Sequence, residues 1–234
     1  QAIFSLALFF NRRIILLSAR YARHIKRFRM AKKQYFLIVD TETTIADTVA
    51  DFGAVVCDKQ GNIHAECGVL VAGEYGVKKL FHDKNACDIW GYAGLHKREE
   101  NYKKMLEVGA RMLCSPAAIN RWLDRVYAKY TPELTAYNLA FDLSKLGNTG
   151  ILVDLYQERF CLWHSAAAHF ADTKDFKNFV LQNHAFNAPT QYGNMTYKTN
   201  AEVVAAFVKG EPVTDEPHTA LEDAKFFELP ILQA

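Results

Sequence analysis

The chain lacks any pair of cysteines spaced to share a metal or to announce a disulfide framework. Cys57, Cys67, Cys87, Cys114 and Cys161 are odd in number, scattered and never arranged as C-x-x-C. That excludes a cystine-stapled scaffold and a structural zinc site, and it fits a reducing compartment, read here as the cytoplasm. Also missing is an apolar run long enough to cross a bilayer, because the apolar stretches at 2–10 and 14–17 are split by Asn11-Arg12-Arg13, so no membrane partner is expected. There is no internal repeat and no low-complexity tract, which removes solenoids and disordered linkers from the possibilities. Acids are absent from residues 1–30, where seven of the 28 basic residues lie. This segment is a basic leader. Its charge follows the apolar stretch rather than preceding it, unlike a secretory signal, and Met30-Ala31-Lys32-Lys33 makes an ordinary start ahead of the first strand. We read 1–30 as upstream or misassigned sequence, with a targeting arm as the alternative, and 31–234 as a single domain.

What is present is enough apolar material for a sizeable core. Of 234 residues, 50% are hydrophobic and 13% aromatic, which argues against global disorder. The net charge of +2 conceals an asymmetry: without the leader, 21 basic residues face 26 acidic ones, a net of −5. A mildly acidic body is expected where several carboxylates gather at a metal, although surface acids alone would produce it.

The most informative stretch is Tyr35-Phe36-Leu37-Ile38-Val39-Asp40-Thr41-Glu42-Thr43-Thr44. Its apolar and β-branched start predicts a strand buried on both faces. Asp40 and Glu42, two apart on an extended chain, project to the same side. Two carboxylates converging there repel unless a cation lies between them; taken alone, the triplet also reads as a strand followed by an ordinary polar turn. Further strands are predicted at 51–57 and 63–71, joined by a turn at 58–62, so the chain opens as a meander. A helix is expected over about 100–113. Ser115-Pro116 opens another with a Ser cap and Pro at the first helical position. A short strand at 134–137 runs into a helix near Asn138-Leu139-Ala140-Phe141-Asp142. A strand at 158–163 and helices at 173–184, 200–209 and 219–229 complete the pattern. A meander followed by alternating helices and strands is α/β, a mixed sheet with helices on both faces.

Sites in such sheets lie at strand ends, and two other segments carry acids to suitable places. Asp142 follows a strand at the head of a helix, as Asp40 does at a strand exit. The last helix opens with His218-Thr219-Ala220-Leu221-Glu222-Asp223-Ala224. Residues five apart in a regular helix differ by about 140°, so His218 and Asp223 share a site only if His218 lies in the loop before the helix. That leaves the histidine on a looser segment, near a helix N-terminus that favours its neutral form. A neutral imidazole beside a metal is what a general base requires.

These three segments resemble the motifs of the DEDDh 3′–5′ exonucleases, the DnaQ-like group that includes polymerase proofreading subunits and oligoribonucleases. Asp40-Thr41-Glu42-Thr43-Thr44 is similar to the first motif, Asn138 with Phe141-Asp142 to the second, and His218 to Ala224 to the third; Phe52-Gly53-Ala54-Val55 resembles the family's second strand. The similarity runs over about 33–232. Ile45 stands where a glycine often follows the threonines, and Tyr137 where a histidine often precedes the asparagine; neither removes a ligand. The resemblance implies an RNase H-like fold and a metal-dependent hydrolysis of phosphodiesters from the 3′ end of single-stranded DNA or RNA. It implies that Asp40, Glu42, Asp142 and Asp223 hold two divalent ions, Mg²⁺ or Mn²⁺, and that His218 is the general base. Thr43, Asn138 and Phe141 would contact the terminal nucleotide, although a phenylalanine at a helix start is more often core. Trp163 and His164 are read as ending a strand, and the basic run at 97–104 as a solvated helix face. With no polymerase domain in the chain, a proofreading role would need a polymerase partner in trans. The alternative function is a non-catalytic nucleic-acid-binding module on the same scaffold. The segment 72–115 carries no transferable motif.

Overall fold

The apolar run that opens the body forms the first half of β1 (Tyr35–Thr43), which continues through Asp40 and Glu42 rather than ending at them, and its two parities bury against different layers. Leu37 and Val39 enter one core with Ile119, Leu123 and Leu146. Phe36 and Ile38 enter another with Ala224 and Leu229. A strand covered on both faces reads as a continuous hydrophobic run for this reason. The computed structural model describes residues 33–154 and 158–234, so the leader at 1–30 lies outside the described residues.

β1 pairs antiparallel with β2 (Val49–Asp58), which pairs antiparallel with β3 (Ile63–Val71). β3 pairs parallel with the two-residue β4 (Leu113–Cys114). On the other side β1 pairs parallel with β5 (Glu133–Ala136), and β5 with β6 (Arg159–Cys161). The strand order is β4-β3-β2-β1-β5-β6. The sheet is mixed, with helices on both faces, and the fold class is α/β as the sequence pattern indicated.

The helices are α1 (Tyr92–Glu107), α2 (Pro116–Tyr130), α3 (Leu139–Thr149), α4 (Leu162–Phe170), α5 (Lys174–Gln182) and α6 (Ala201–Lys209). The C-terminal helix begins as α7 (Ala220–Asp223), passes through a π-helical turn (Ala224–Glu228) and ends as α8 (Leu229–Gln233). α2 starts as its sequence signals: the Ser115 side chain accepts from Ala118 N–H, with Pro116 at the first position.

Several expectations are corrected. α1 begins eight residues before the helix expected from 100 and ends at Glu107, because Gly109, at φ 73°, turns the chain. Within it Arg98 is 4% exposed, so the charged run is not a wholly solvated face. β4 was not anticipated. The strand expected at 158–163 stops at Cys161, and Trp163 and His164 lie in the first turn of α4. The last helix runs beyond 229 to Gln233.

β2 and α7 approach unusually closely. A Cβ at Gly53 would lie 2.1 Å from the Ala220 carbonyl carbon and 2.3 Å from Leu221 N. Both are backbone atoms that cannot swing aside. Gly53→Ala is therefore expected to cost upwards of about 2 kcal/mol by forcing the strand and helix apart. Gly147→Ala, in open space within α3, should instead gain about 0.5–1 kcal/mol. Chemical denaturation of the two variants checks the contrast; equal effects would contradict the close approach.

Candidate active site

Asp40 and Glu42 extend the same parity of β1 that carries Phe36 and Ile38, and so point to the face where α7 and the π turn pack. Thr41 has the opposite parity, and its hydroxyl donates to Asp142 Oδ1 at 2.7 Å. Asp142 sits in the first turn of α3, behind Asn138, whose carbonyl accepts from the N–H of Phe141 and of Asp142.

The third segment is fixed by a buried polar network. Asp51, opposite Glu42 in the β1–β2 register, accepts Ala220 N–H at 3.0 Å and thereby caps α7. Arg111, from the loop between α1 and β4, holds the other Asp51 oxygen at 3.2 Å and also pairs with Glu222. Gly53 lets the helix start lie directly against the strand. His218 falls just before the helix, as the spacing argument required, with its backbone in the left-handed region at φ 53°. Its Nδ1 is 3.7 Å from Glu42 Oε1. One ligand atom each from Glu42, His218 and Asp223 lie within 4.8 Å of one another.

Asp40, Glu42, His218 and Asp223 open onto one cleft of about 540 Å³, together with Thr43, Asn138 and Phe141. Asp142 does not itself line the cleft but is hydrogen-bonded to Thr41, which does. Phe141 is 42% exposed, so the core reading for it is wrong. His218 is 5% exposed and is not on a loose segment. The unassigned stretch after β3 covers it: the Trp90 ring lies 4.1 Å from the imidazole, and the Tyr102 hydroxyl donates to the His218 carbonyl at 3.2 Å. Phe81, Asp83 and Asp88 from that stretch also line the cleft.

Sequence reasoning also missed Glu228 and Glu216. Glu228 is 3% exposed and follows Asp223 by five residues. The π turn between them closes i to i+5, turning Glu228 back towards the acids. Its Oε1 accepts Tyr137 N–H at 3.1 Å. The available signal was the repeated step of five, His218 to Asp223 to Glu228, but nothing in it announced a π turn. Of the positions that depart from the motifs, Ile45 is exposed, and the Tyr137 hydroxyl donates to Thr199 O.

The electrostatics follow from this crowding. Burial raises Asp40 well above the usual carboxylate range, and the neighbouring charges of Glu228, Asp223, Asp142 and Glu42 raise it further. Burial pushes Glu42 up to about 8, with Arg98 opposing. Asp142 rises to about 7 by burial, restrained by the Thr41 hydroxyl. Asp223 rises to about 10 by burial and by Glu216 and Glu42. Burial, and then Arg98, lowers His218 to about 4, so its imidazole is neutral at pH 7. Asp223 Oδ1 and Glu228 Oε2 are buried without a hydrogen-bond partner. Orphaned acceptor oxygens among clustered acids suit hard divalent cations, which favour carboxylate ligands. The residues present fit such ions.

A carboxyl whose pKa is raised by folding contributes fully below its unfolded value of about 4 and loses that contribution as pH climbs through its folded value. For Asp142 and Glu42 this window closes near 7 and 8. The metal-free protein should therefore melt lower at about pH 8 than at about pH 5. Saturating Mn²⁺ should close the gap by ~5 °C or more, and Asp40→Asn should shrink both effects. Thermal melts in chelator and in Mn²⁺ decide this; a metal-free melting point rising from pH 5 to pH 8 would contradict it.

No protein-family model and no curated protein matches the sequence. Solved structures to which the chain is similar include two of exonuclease I. One is E. coli exonuclease I in complex with a 5cy-dT13 oligonucleotide, at 16% identity and a TM-score of 0.46, covering 86% of this chain and 40% of that one. The other is exonuclease I in complex with inhibitor BCBP, at 15% identity and a TM-score of 0.47, covering 86% and 41%. The chain spans about two fifths of the length of these structures.

Proposed function

We propose that residues 31–234 form a DEDDh-type, RNase H-like 3′–5′ exonuclease that hydrolyses phosphodiester bonds at single-stranded 3′ ends of DNA or RNA. One observation supports the reading: Asp40, Glu42, Asp223 and His218, from distant segments, line one cleft, with Asp142 hydrogen-bonded to Thr41 of the same cleft and the Asp223 Oδ1 oxygen left unpaired. Clustered buried acids are costly to the fold, and a site that uses their charge accounts for that cost.

Asp40, Glu42, Asp142 and Asp223 would hold two Mg²⁺ or Mn²⁺ ions. Bound there, such ions supply neutralisation of the anionic substrate and stabilisation of charge on the attacking and leaving oxygens. His218, kept neutral by burial and by Arg98, takes the proton of the attacking water as that water adds to phosphorus and the bond to the leaving 3′-oxygen breaks. Phe141, exposed at the cleft, offers a sequence-tolerant stacking face. Thr43 and Asn138, which also line the cleft, would bond the terminal sugar. The reading needs no second protein.

The position of His218 among the acids also favours a second role, as a metal ligand. The two roles differ in what the histidine's loss removes. The purified protein with Mn²⁺ is expected to shorten a 5′-labelled single strand from its 3′ end. Asp40→Ala should remove on the order of 10³-fold or more of the rate. His218→Ala should cost about 10²–10⁴-fold in kcat with Mn²⁺ affinity nearly unchanged; a parallel loss of affinity would make His218 a ligand instead. Binding of single strands without metal-dependent turnover would mark a non-catalytic module.

A further inference from the structure

The segment between β3 and β4 supplies neither ligand nor base to the chemistry above, yet it builds one wall of the cleft. Its stretch 81–91 is a closed loop: Asp83 N–H donates to Trp90 O at 2.8 Å, and the Asp88 carboxylate accepts Trp90 N–H at 2.9 Å. Arg98, 4% exposed in α1, ties down the start of the loop by donating to Phe81 O. The same guanidinium lies over the Trp90 ring, 4.9 Å from its centroid, and the Phe81 ring meets Trp90 edge-on at 6.1 Å. Trp90 is thus held by its backbone, by a cation and by a second ring.

Trp90 also meets the His218 imidazole, 4.1 Å away at an interplanar angle of 54°. His218 needs such support. Its backbone is in the left-handed region at φ 53°, which a non-glycine residue keeps only where its surroundings hold it. Tyr102 fixes the carbonyl, but a bond to the carbonyl leaves the side-chain torsions free. The ring's polar neighbour, Glu42, is 3.7 Å away, too far for a hydrogen bond.

We propose that Trp90 is a positioning residue that sets the orientation of the His218 ring, and that the 81–91 loop is built to carry it. This rests on the assignment of His218 as general base. A ring free to turn about its side-chain bonds would spend much of its time out of reach of the water's proton, lowering turnover without weakening substrate or metal binding.

The test uses the full chain, a 5′-labelled single-stranded oligonucleotide and Mn²⁺. Trp90→Ala should lower kcat about 10–100-fold while KM and Mn²⁺ affinity stay within about twofold, and Trp90→Phe should recover most of the rate. Trp90→Leu, which keeps bulk without a ring face, serves if the alanine variant does not fold. Independently, the imidazole proton resonances of His218, identified by their loss in His218→Gln, should shift downfield when the Trp90 ring current is removed. The proposal is overturned if kcat is retained, if KM and Mn²⁺ affinity worsen in proportion to the rate, or if the resonances stay put in an active enzyme. An inactive wild type whose His218 resonances still depend on Trp90 would instead overturn the exonuclease reading.

Discussion

Like charges held together away from water set the terms for this molecule. Asp40, Glu42, Asp142, Asp223 and Glu228 are each raised in pKa, with burial as the largest cause and mutual repulsion adding to it at most of them. A fold that only needed to be stable would place apolar side chains there. The scaffold around the acids holds them together. A strand buried on both faces ends at the site, and the helix that faces it is pinned through Gly53, Asp51 and Arg111. The expected divalent ions would then relieve a repulsion that the sheet and helices impose.

Strand parity distributes the acids between layers. Asp40 and Glu42 share the face that receives Asp223, while Thr41 turns to the other face and hydrogen-bonds Asp142. A single extended stretch therefore gathers side chains from both sides of the sheet. The π turn repeats the economy on the helical side, where Asp223 and Glu228 are brought round together despite their spacing of five.

Much of this was legible in residues 35–71, where patterning and turn chemistry agree, and the third strand fell on its expected span. The loop position of His218 followed from helix geometry once His218 and Asp223 were taken to share a site. Less legible was whatever depended on tertiary contact. α1 shows weak apolar periodicity because its buried face includes Gly94, Arg98 and Tyr102, so neither its start nor its purpose could be read. Phe141 at a helix start looked like core, and only the cleft beside it leaves it exposed. Glu228 was invisible because a π turn depends on packing, and Trp163 was assigned to a strand because β6 passes into α4 without a turn signal.

The central claim is that the clustered carboxylates are a metal centre. Anomalous diffraction at the manganese edge, from crystals of the full chain soaked in Mn²⁺, tests it most directly. The account predicts manganese density in contact with Asp40, Glu42, Asp142 and Asp223, lost in Asp40→Asn and Asp223→Asn. Crystals saturated with Mn²⁺ that show no anomalous density among these four side chains would contradict it.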